Sequence, residues 1–339
     1  MSVRVPTLLL SALLLCAPAA NAQEPRRAAP EALGLGMEGY PYPAPVQFLP
    51  VTLEGQDVRM AYMDVKPTAN ANGRTVVLLH GKNFFGASWK DTIRVLTGAG
   101  FRVVVPDQIG FGKSSKPAIA YSFHTLASLT KKVLDTVGVK QAVIVGHSMG
   151  GMLATRFALM YPETTSQLVL ENPIGLEDYR ESVPWKSTED LYRENLQATE
   201  EGLRKYQRGY YVKWKPEYDE YVQVLYRQTL SGEYPRLAWV SAATQTMIYE
   251  QPVVHEFPLV KAPTLVVIGQ EDRTVVGKGS VPPALLPKLG QYPALGKKTA
   301  AAIPGATLVE LPNVGHIPHF EAPEKWHAAL LDFLRKGAK

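Results

Sequence analysis

Residues 143–152, Val-Ile-Val-Gly-His-Ser-Met-Gly-Gly-Met, constrain this chain more than any other stretch. A β-branched run reads as a buried strand, and residues 153–161 read as a helix stopped by Pro162. Between them Ser148 stands at the apex of a Gly-x-Ser-x-Gly frame. So tight a strand-to-helix elbow leaves no room for β-carbons on either side of the serine, and it puts the serine itself in a strained conformation. The frame alone is common by chance. The buried strand before it and the helix after it make a nucleophile at the C-terminal edge of a parallel sheet the better reading.

The rest of the chain supplies that sheet. Residues 75–79 are a solid apolar run, and 101–105, 141–145 and 167–170 read as further buried strands, separated by helical patterns at 88–96 and 123–137. Continuous apolar strands alternating with helices imply an α/β fold with a parallel sheet covered on both faces. An antiparallel hairpin precedes it, residues 48–53 and 58–64 about Gly55-Gln56-Asp57. From 174 to 257 the strand signal vanishes, and helices are expected over 188–214, 216–230 and 235–249. Alternation then resumes at 264–268 and 307–311, before a last helix at 323–334. The middle block therefore reads as a helical cap (174–257) inserted into a core (48–173 and 258–339).

A serine hydroxyl needs a base, and the base needs an orienting acid. In a parallel sheet both come from loops at the C-terminal ends of later strands. After 264–268 comes Gly-Gln-Glu-Asp-Arg, which makes Asp272 the acid, with Glu171 at another strand end as its rival. After 307–311 comes Pro-Asn-Val-Gly-His, which makes His316 the base. The order Ser, Asp, His is that of elbow-serine hydrolases. An oxyanion would be held by two backbone amides. These are Met149, at the start of a helix, and Lys82 in the loop after His80-Gly81, with Asn83 as runner-up. His147 reads as a packed histidine, and Asp107 as the brace of the loop around Gly110 and Gly112. His319 reads as a supporting or surface residue. No third ligand joins His316 and His319, so neither a metal nor a cofactor is expected.

These motifs together resemble the α/β-hydrolase superfamily, in its cap-bearing serine hydrolase branch: esterases, carbon–carbon hydrolases and enol-lactonases. The residues that carry the resemblance are His80-Gly81, Pro106-Asp107-x-x-Gly-x-Gly-x-Ser, Gly-His-Ser-Met-Gly-Gly, Gly-x-x-Asp before Arg273, and Gly315-His316. The resemblance implies a mostly parallel, doubly wound sheet of eight strands with an inserted helical cap, and acyl transfer through Ser148, His316 and Asp272. Ser148 stands where dehalogenases and epoxide hydrolases carry aspartate. Met149 stands where proline iminopeptidases carry tryptophan. The expected activity is cleavage of an ester or related acyl bond. Carbon–carbon hydrolysis, lactone opening, amide or aminopeptide cleavage and perhydrolysis remain open on the same fold, and a non-enzymatic binding module is disfavoured by the intact set of residues. Forty-four positions separate Asp272 from His316. Much of that gap, 276–304, departs from the compact pattern and is expected to be a loop with a short helix over 289–302.

Composition decides the remaining points. The cap block holds three of the five tryptophans and ten of the sixteen tyrosines. With Phe84, Phe85 and Trp89 this suggests a small-molecule substrate with an apolar or aromatic portion. A net charge of +5 with no basic run argues against nucleic acid. Residues 1–22 have the form of a signal peptide: Arg4, an apolar block at 8–15, then Ala20-Asn21-Ala22. Cleavage after Ala22 predicts a secreted or periplasmic protein. Leu15 before Cys16 lacks the small residue of a lipidation site, so no stable membrane anchor is expected. Cys16 is the only cysteine, which removes disulfides, thiol nucleophiles and thiolate metal sites from the mature chain. Residues 23–47, rich in proline, read as a lead-in lying on the surface or partly disordered. Nothing in the sequence indicates the oligomeric state.

Overall fold

The computed structural model describes residues 1–3 and 30–337. Nearly all of the expected signal peptide, its cleavage point after Ala22 and the start of the lead-in lie outside the described residues. The chain divides into two units, residues 1–31 and 32–339. The described residues of the first carry no helix or strand; the fold belongs to the second.

Eight strands form one sheet: β1 (Val46–Leu53), β2 (Gln56–Val65), β3 (Thr75–Leu79), β4 (Arg102–Pro106), β5 (Ala142–His147), β6 (Thr165–Glu171), β7 (Thr264–Gly269) and β8 (Thr307–Leu311). Their order is β1-β2-β4-β3-β5-β6-β7-β8. β1 and β2 form an antiparallel hairpin, β2 joins β4 antiparallel, and every later pair is parallel. The hairpin turn is Glu54-Gly55, both at positive φ (47° and 75°), the backbone that a two-residue hairpin loop requires. Gln56 and Asp57, expected in that turn, instead begin β2 opposite Leu53 and Thr52.

The central strands β3, β5 and β7 are buried along their whole length. Their period of two divides the core. Val77, Leu79, Ile144, Val266 and Ile268 face α2 (Phe123–Thr136), α3 (Met149–Met160) and α8 (Tyr292–Ala302). Val76, Leu78, Val143, Val145 and Val267 face α1 (Lys90–Gly98) and α10 (Pro323–Lys336), which follows the single turn α9 (Pro318–Glu321).

Between β6 and β7 the chain is helical: α4 (Thr188–Leu196), α5 (Glu200–Arg208), α6 (Asp219–Thr229) and α7 (Tyr234–Glu250). The pattern over 188–214 is two helices rather than one. Thr199 is extended and its hydroxyl accepts the Gly202 amide at 3.1 Å, which starts α5 afresh. The lead-in is also better anchored than its composition suggests. Leu33 and Met37 are buried against Phe84, Phe85 and Tyr221. The Leu33 amide donates to Arg227 O at 2.9 Å, and the Lys113 ammonium to Met37 O at 2.7 Å. Apolar residues at 33, 35 and 37 overrode the proline signal because they had a core to enter.

Candidate active site

The elbow builds the site from its backbone outward. Ser148 follows β5 with φ 56° and ψ −121°, and α3 begins at the next residue. A Cβ on Gly146 would run into the Gly150 carbonyl, one on Gly150 into the Leu79 carbonyl, and one on Gly151 into Pro173. The glycines are thus what let α3 close over the end of β5, and the positive φ at Ser148 turns its side chain out of the strand.

The Ser148 hydroxyl lies 2.9 Å from His316 Nε2, and His316 Nδ1 lies 2.7 Å from Asp272 Oδ2. An ionised carboxylate only accepts, so Nδ1 carries the proton and Nε2 is left to accept from the serine. All three side chains are buried. Asp272 sits in the turn after β7, where its Oδ1 accepts the Thr274 amide at 2.8 Å. Burial alone would push its carboxyl up. The His316 charge, with hydrogen bonds from His316, Asn172 and Thr274, outweighs burial and holds it below the usual carboxylate value.

Three residues with no motif of their own complete the arrangement. Asn172, at φ 36°, donates Nδ2–H to Asp272 Oδ2 (2.8 Å) and accepts the Gly269 amide (2.9 Å). Tyr210, from the segment after α5, stacks on the His316 ring at 4.8 Å, and its carbonyl accepts the His316 amide at 2.7 Å. Glu321 takes the Gly315 and Val212 amides, which ties the histidine loop to the cap. A signal for Asn172 was present, because it directly follows the last residue of a strand. Tyr210 acts through its ring and its carbonyl, and Glu321 through its carboxylate on two backbone amides, contacts that no spacing encodes.

Met149 opens α3, so its amide is among those with no carbonyl inside the helix. The loop after β3 presses on Ser148 so closely that a Cβ on Gly81 would lie 3.1 Å from the serine Cβ. The Lys82 amide comes next in this loop, and it donates to no backbone carbonyl among the described residues. The amide of Asn83, the runner-up, likewise donates to no backbone carbonyl among the described residues, and its side chain donates to the Tyr210 hydroxyl at 2.9 Å. A cavity of about 990 Å³ opens over Ser148, between the sheet edge and the cap, and both Phe84 and Phe85 line it.

Trp89 does not line it. The 3-10 turn Gly86–Trp89 drives this ring into the opposite layer beside Val76 and Trp326, where it stacks on His319 at 4.4 Å. Glu171 is buried in the same region and pairs with His319 at 3.0 Å, so the rival acid serves a different histidine. His147 donates from Nε2 to the His316 carbonyl at 2.9 Å. Asp107 accepts the Gly86 and Lys113 amides and the Tyr42 hydroxyl, at 2.6, 2.7 and 2.7 Å, and so braces its loop. Among the described residues no three His, Cys, Asp or Glu side chains are placed to hold a metal ion, and no helix is long and apolar enough to cross a membrane.

The buried histidines set a pH limit. Burial pushes His147 and His319 down to about 3 and His327 to about 4, and it lowers His80 too. The unfolded chain takes up these protons near pH 6.5 and the folded chain refuses them, so stability falls as pH drops below that value. Burial raises Glu171 to about 7, which acts oppositely, disfavouring the fold as pH rises from about 4.5 to 7. Burial also raises Glu177 and Glu321, which act in the same direction as Glu171, and the four histidines outweigh these three carboxyls. The melting temperature should fall steadily from pH 6.5 to 4.5 in a thermal scan, and His319→Gln should flatten the slope. A flat profile in the wild type would contradict this balance.

Residues 74–323 match the family model for the alpha/beta hydrolase fold. The chain belongs to the α/β-hydrolase family. A 2-hydroxy-6-oxononadienedioate/2-hydroxy-6-oxononatrienedioate hydrolase of Paraburkholderia phymatum is 30% identical over 289 residues, 83% of this chain and 92% of that protein. A 2-hydroxy-6-oxo-6-phenylhexa-2,4-dienoate hydrolase of Burkholderia cepacia is 27% identical over 78% of this chain and 89% of its own length. The crystal structure of a probable hydrolytic enzyme from Pseudomonas aeruginosa PAO1 superposes with a TM-score of 0.88 at 49% identity, covering 90% of this chain and 98% of that one. This α/β-hydrolase, like those relatives, is a hydrolytic enzyme.

Proposed function

We propose that this α/β-hydrolase is a serine hydrolase that cleaves the acyl bond of a small ester with an apolar or aromatic portion. The observation that carries the reading is the Ser148–His316–Asp272 chain of hydrogen bonds opening onto the aromatic-lined cavity. His316 Nε2 takes the Ser148 proton as the oxygen attacks the carbonyl carbon. Asp272 keeps the proton on Nδ1 and balances the imidazolium. The Met149 and Lys82 amides receive the oxyanion. His316 then protonates the leaving alcohol, leaving an acyl group on Ser148. A water, deprotonated by His316, attacks that acyl group and returns the serine. No step calls for a cofactor or metal ion.

A second reading has one specific support: two relatives matched over most of their length are named as hydrolases of 2-hydroxy-6-oxo-dienoates. The same serine would there attack a ketone carbonyl, and the leaving group would be a carbanion equivalent. A panel separates the two. With p-nitrophenyl butyrate and a 2-hydroxy-6-oxo-6-phenyl dienoate assayed side by side, the ester reading expects kcat/KM at least about tenfold higher for the ester, a difference of about 1.4 kcal/mol in transition-state binding. The reverse ratio assigns carbon–carbon cleavage. Turnover of neither, nor of a lactone or an anilide, removes the serine hydrolase reading.

The N-terminal 22 residues support a further proposal, export with cleavage after Ala22 to give a secreted or periplasmic enzyme.

A further inference from the structure

Lys82 carries a side chain that the mechanism above does not use. Its ammonium crosses from the loop after β3 to the cap and donates to Ser241 Oγ on α7 at 2.8 Å. Both residues line the cavity that Ser148 faces. An ammonium drawn even partly out of water ordinarily lies beside a carboxylate, because its desolvation is costly without a countercharge.

The cavity wall does not supply one to Lys82. Six cations line it (Lys82, Lys116, Lys186, Lys205, Arg273 and Lys278) against one carboxylate, Glu194. Glu194 is already paired with Lys186. Lys116 is held by the Gly112 and Ser114 carbonyls, and Arg273 by those of Gln270 and Asp272. Lys205 and Lys278 are exposed to solvent. Lys82 differs from all five: it is half-buried, and among the described residues its one hydrogen-bond partner is a neutral side-chain hydroxyl. Burial pushes the ammonium down to about 8, which leaves it largely cationic at neutral pH. Ser241 accepts from Lys82 through its oxygen and keeps its own proton to donate. Two donors therefore converge on one point of the cavity, with one net positive charge between them.

Resting on the hydrolase reading above, we propose that Lys82 and Ser241 seat a carboxylate carried by the substrate, at the end that faces α7. One cation and one hydroxyl match a single negative charge; a phosphate dianion would bring a second charge that this seat does not neutralise. Lys82 then has two functions in one residue. Its backbone amide serves the oxyanion, and its side chain selects substrates by charge.

The test compares two esters of matched shape, the p-nitrophenyl monoester of glutaric acid and neutral p-nitrophenyl 5-methylhexanoate. The readout is the ratio of their kcat/KM values, in which any general loss from changing Lys82 cancels. Lys82→Met should lower the anionic-to-neutral ratio at least about tenfold, the scale of one hydrogen bond to a charged group. Lys82→Arg should keep most of the ratio, and Ser241→Ala should lower it about threefold or more. A ratio unchanged in Lys82→Met overturns the proposal. If Lys82→Met does not fold by circular dichroism, an unchanged ratio in Ser241→Ala overturns it instead. Calorimetry of free glutarate with Ser148→Ala protein decides the case without turnover. Binding that weakens at least about tenfold on adding Lys82→Met, or about threefold on adding Ser241→Ala, supports the seat even if no ester is cleaved and the hydrolase reading has failed. Ester cleavage with an unchanged ratio and no glutarate binding removes the seat and leaves the hydrolase reading standing.

Discussion

Replacing Ser148 by alanine should lower kcat on any cleaved ester by on the order of 10⁶-fold, the scale reached when an activated serine loses its oxygen. The expectation follows from what the substitution spares. The Ser148 carbonyl accepts the Gly151 and Ile174 amides, at 2.8 and 3.2 Å, and alanine keeps both bonds. The positive φ strains alanine as it strains serine, so no strain is released or added. The flanking glycines still let α3 close over β5. What disappears is one hydroxyl and its bond to His316, so the melting temperature should shift by only a few degrees. A loss below about tenfold, in protein that melts like the wild type, would mean that the bond is broken by another group.

Asp272→Asn should lower kcat by about 10⁴-fold without removing a single heavy atom. The carboxylate accepts from three directions: the Thr274 amide on Oδ1, and Asn172 and His316 on Oδ2. An amide replaces one of those acceptors with a donor. If its NH₂ takes the Oδ2 position, it faces two donors, and His316 must move its proton to Nε2, where it can no longer receive one from Ser148. If it takes the Oδ1 position, it opposes the Thr274 amide and unsettles the turn that holds residue 272. Neither orientation keeps both the turn and the tautomer. Glu171→Gln is the control, since Glu171 bonds His319 rather than His316; kcat there should fall less than about tenfold. If Glu171→Gln cost as much as Asp272→Asn, the two acids would have been assigned to the wrong histidines.

Much of the fold and of the site is legible in the sequence. Ser148, Asp272 and His316 each follow an apolar run, and a parallel sheet sends every such run to the same edge. Strand ends thus report proximity across as many as 168 positions, the separation of Ser148 and His316. The same logic gave the sheet and the helical character of the block before β7. It fails where a contact is made by shape. The sequence groups Trp89 with Phe84 and Phe85 as pocket aromatics, whereas a 3-10 turn of four residues rotates it into the other layer. Alternation of the flanking strands centres the turn on Gly55-Gln56-Asp57, while the backbone at Glu54 and Gly55 has the dihedrals for it. The lead-in was judged by its prolines, yet Leu33 and Met37 decide where it lies. Tyr210 reaches the histidine loop through its carbonyl and its stacked ring, and Glu321 through a carboxylate that takes two backbone amides, contacts set by the fold that no spacing marks. Lys82 was marked for its amide, and the partner of its ammonium lies 159 positions away on a cap helix.

The central claim is that Ser148 is the nucleophile, activated through His316. Mass spectrometry of the intact enzyme treated with a fluorophosphonate measures this most directly, because such a probe bonds covalently to an activated serine and mimics the tetrahedral intermediate. The account predicts one adduct per chain, located on the peptide carrying Ser148, forming in step with loss of activity and failing to form in His316→Ala. An active enzyme that stays unmodified, or one inactivated by an adduct elsewhere, would contradict it.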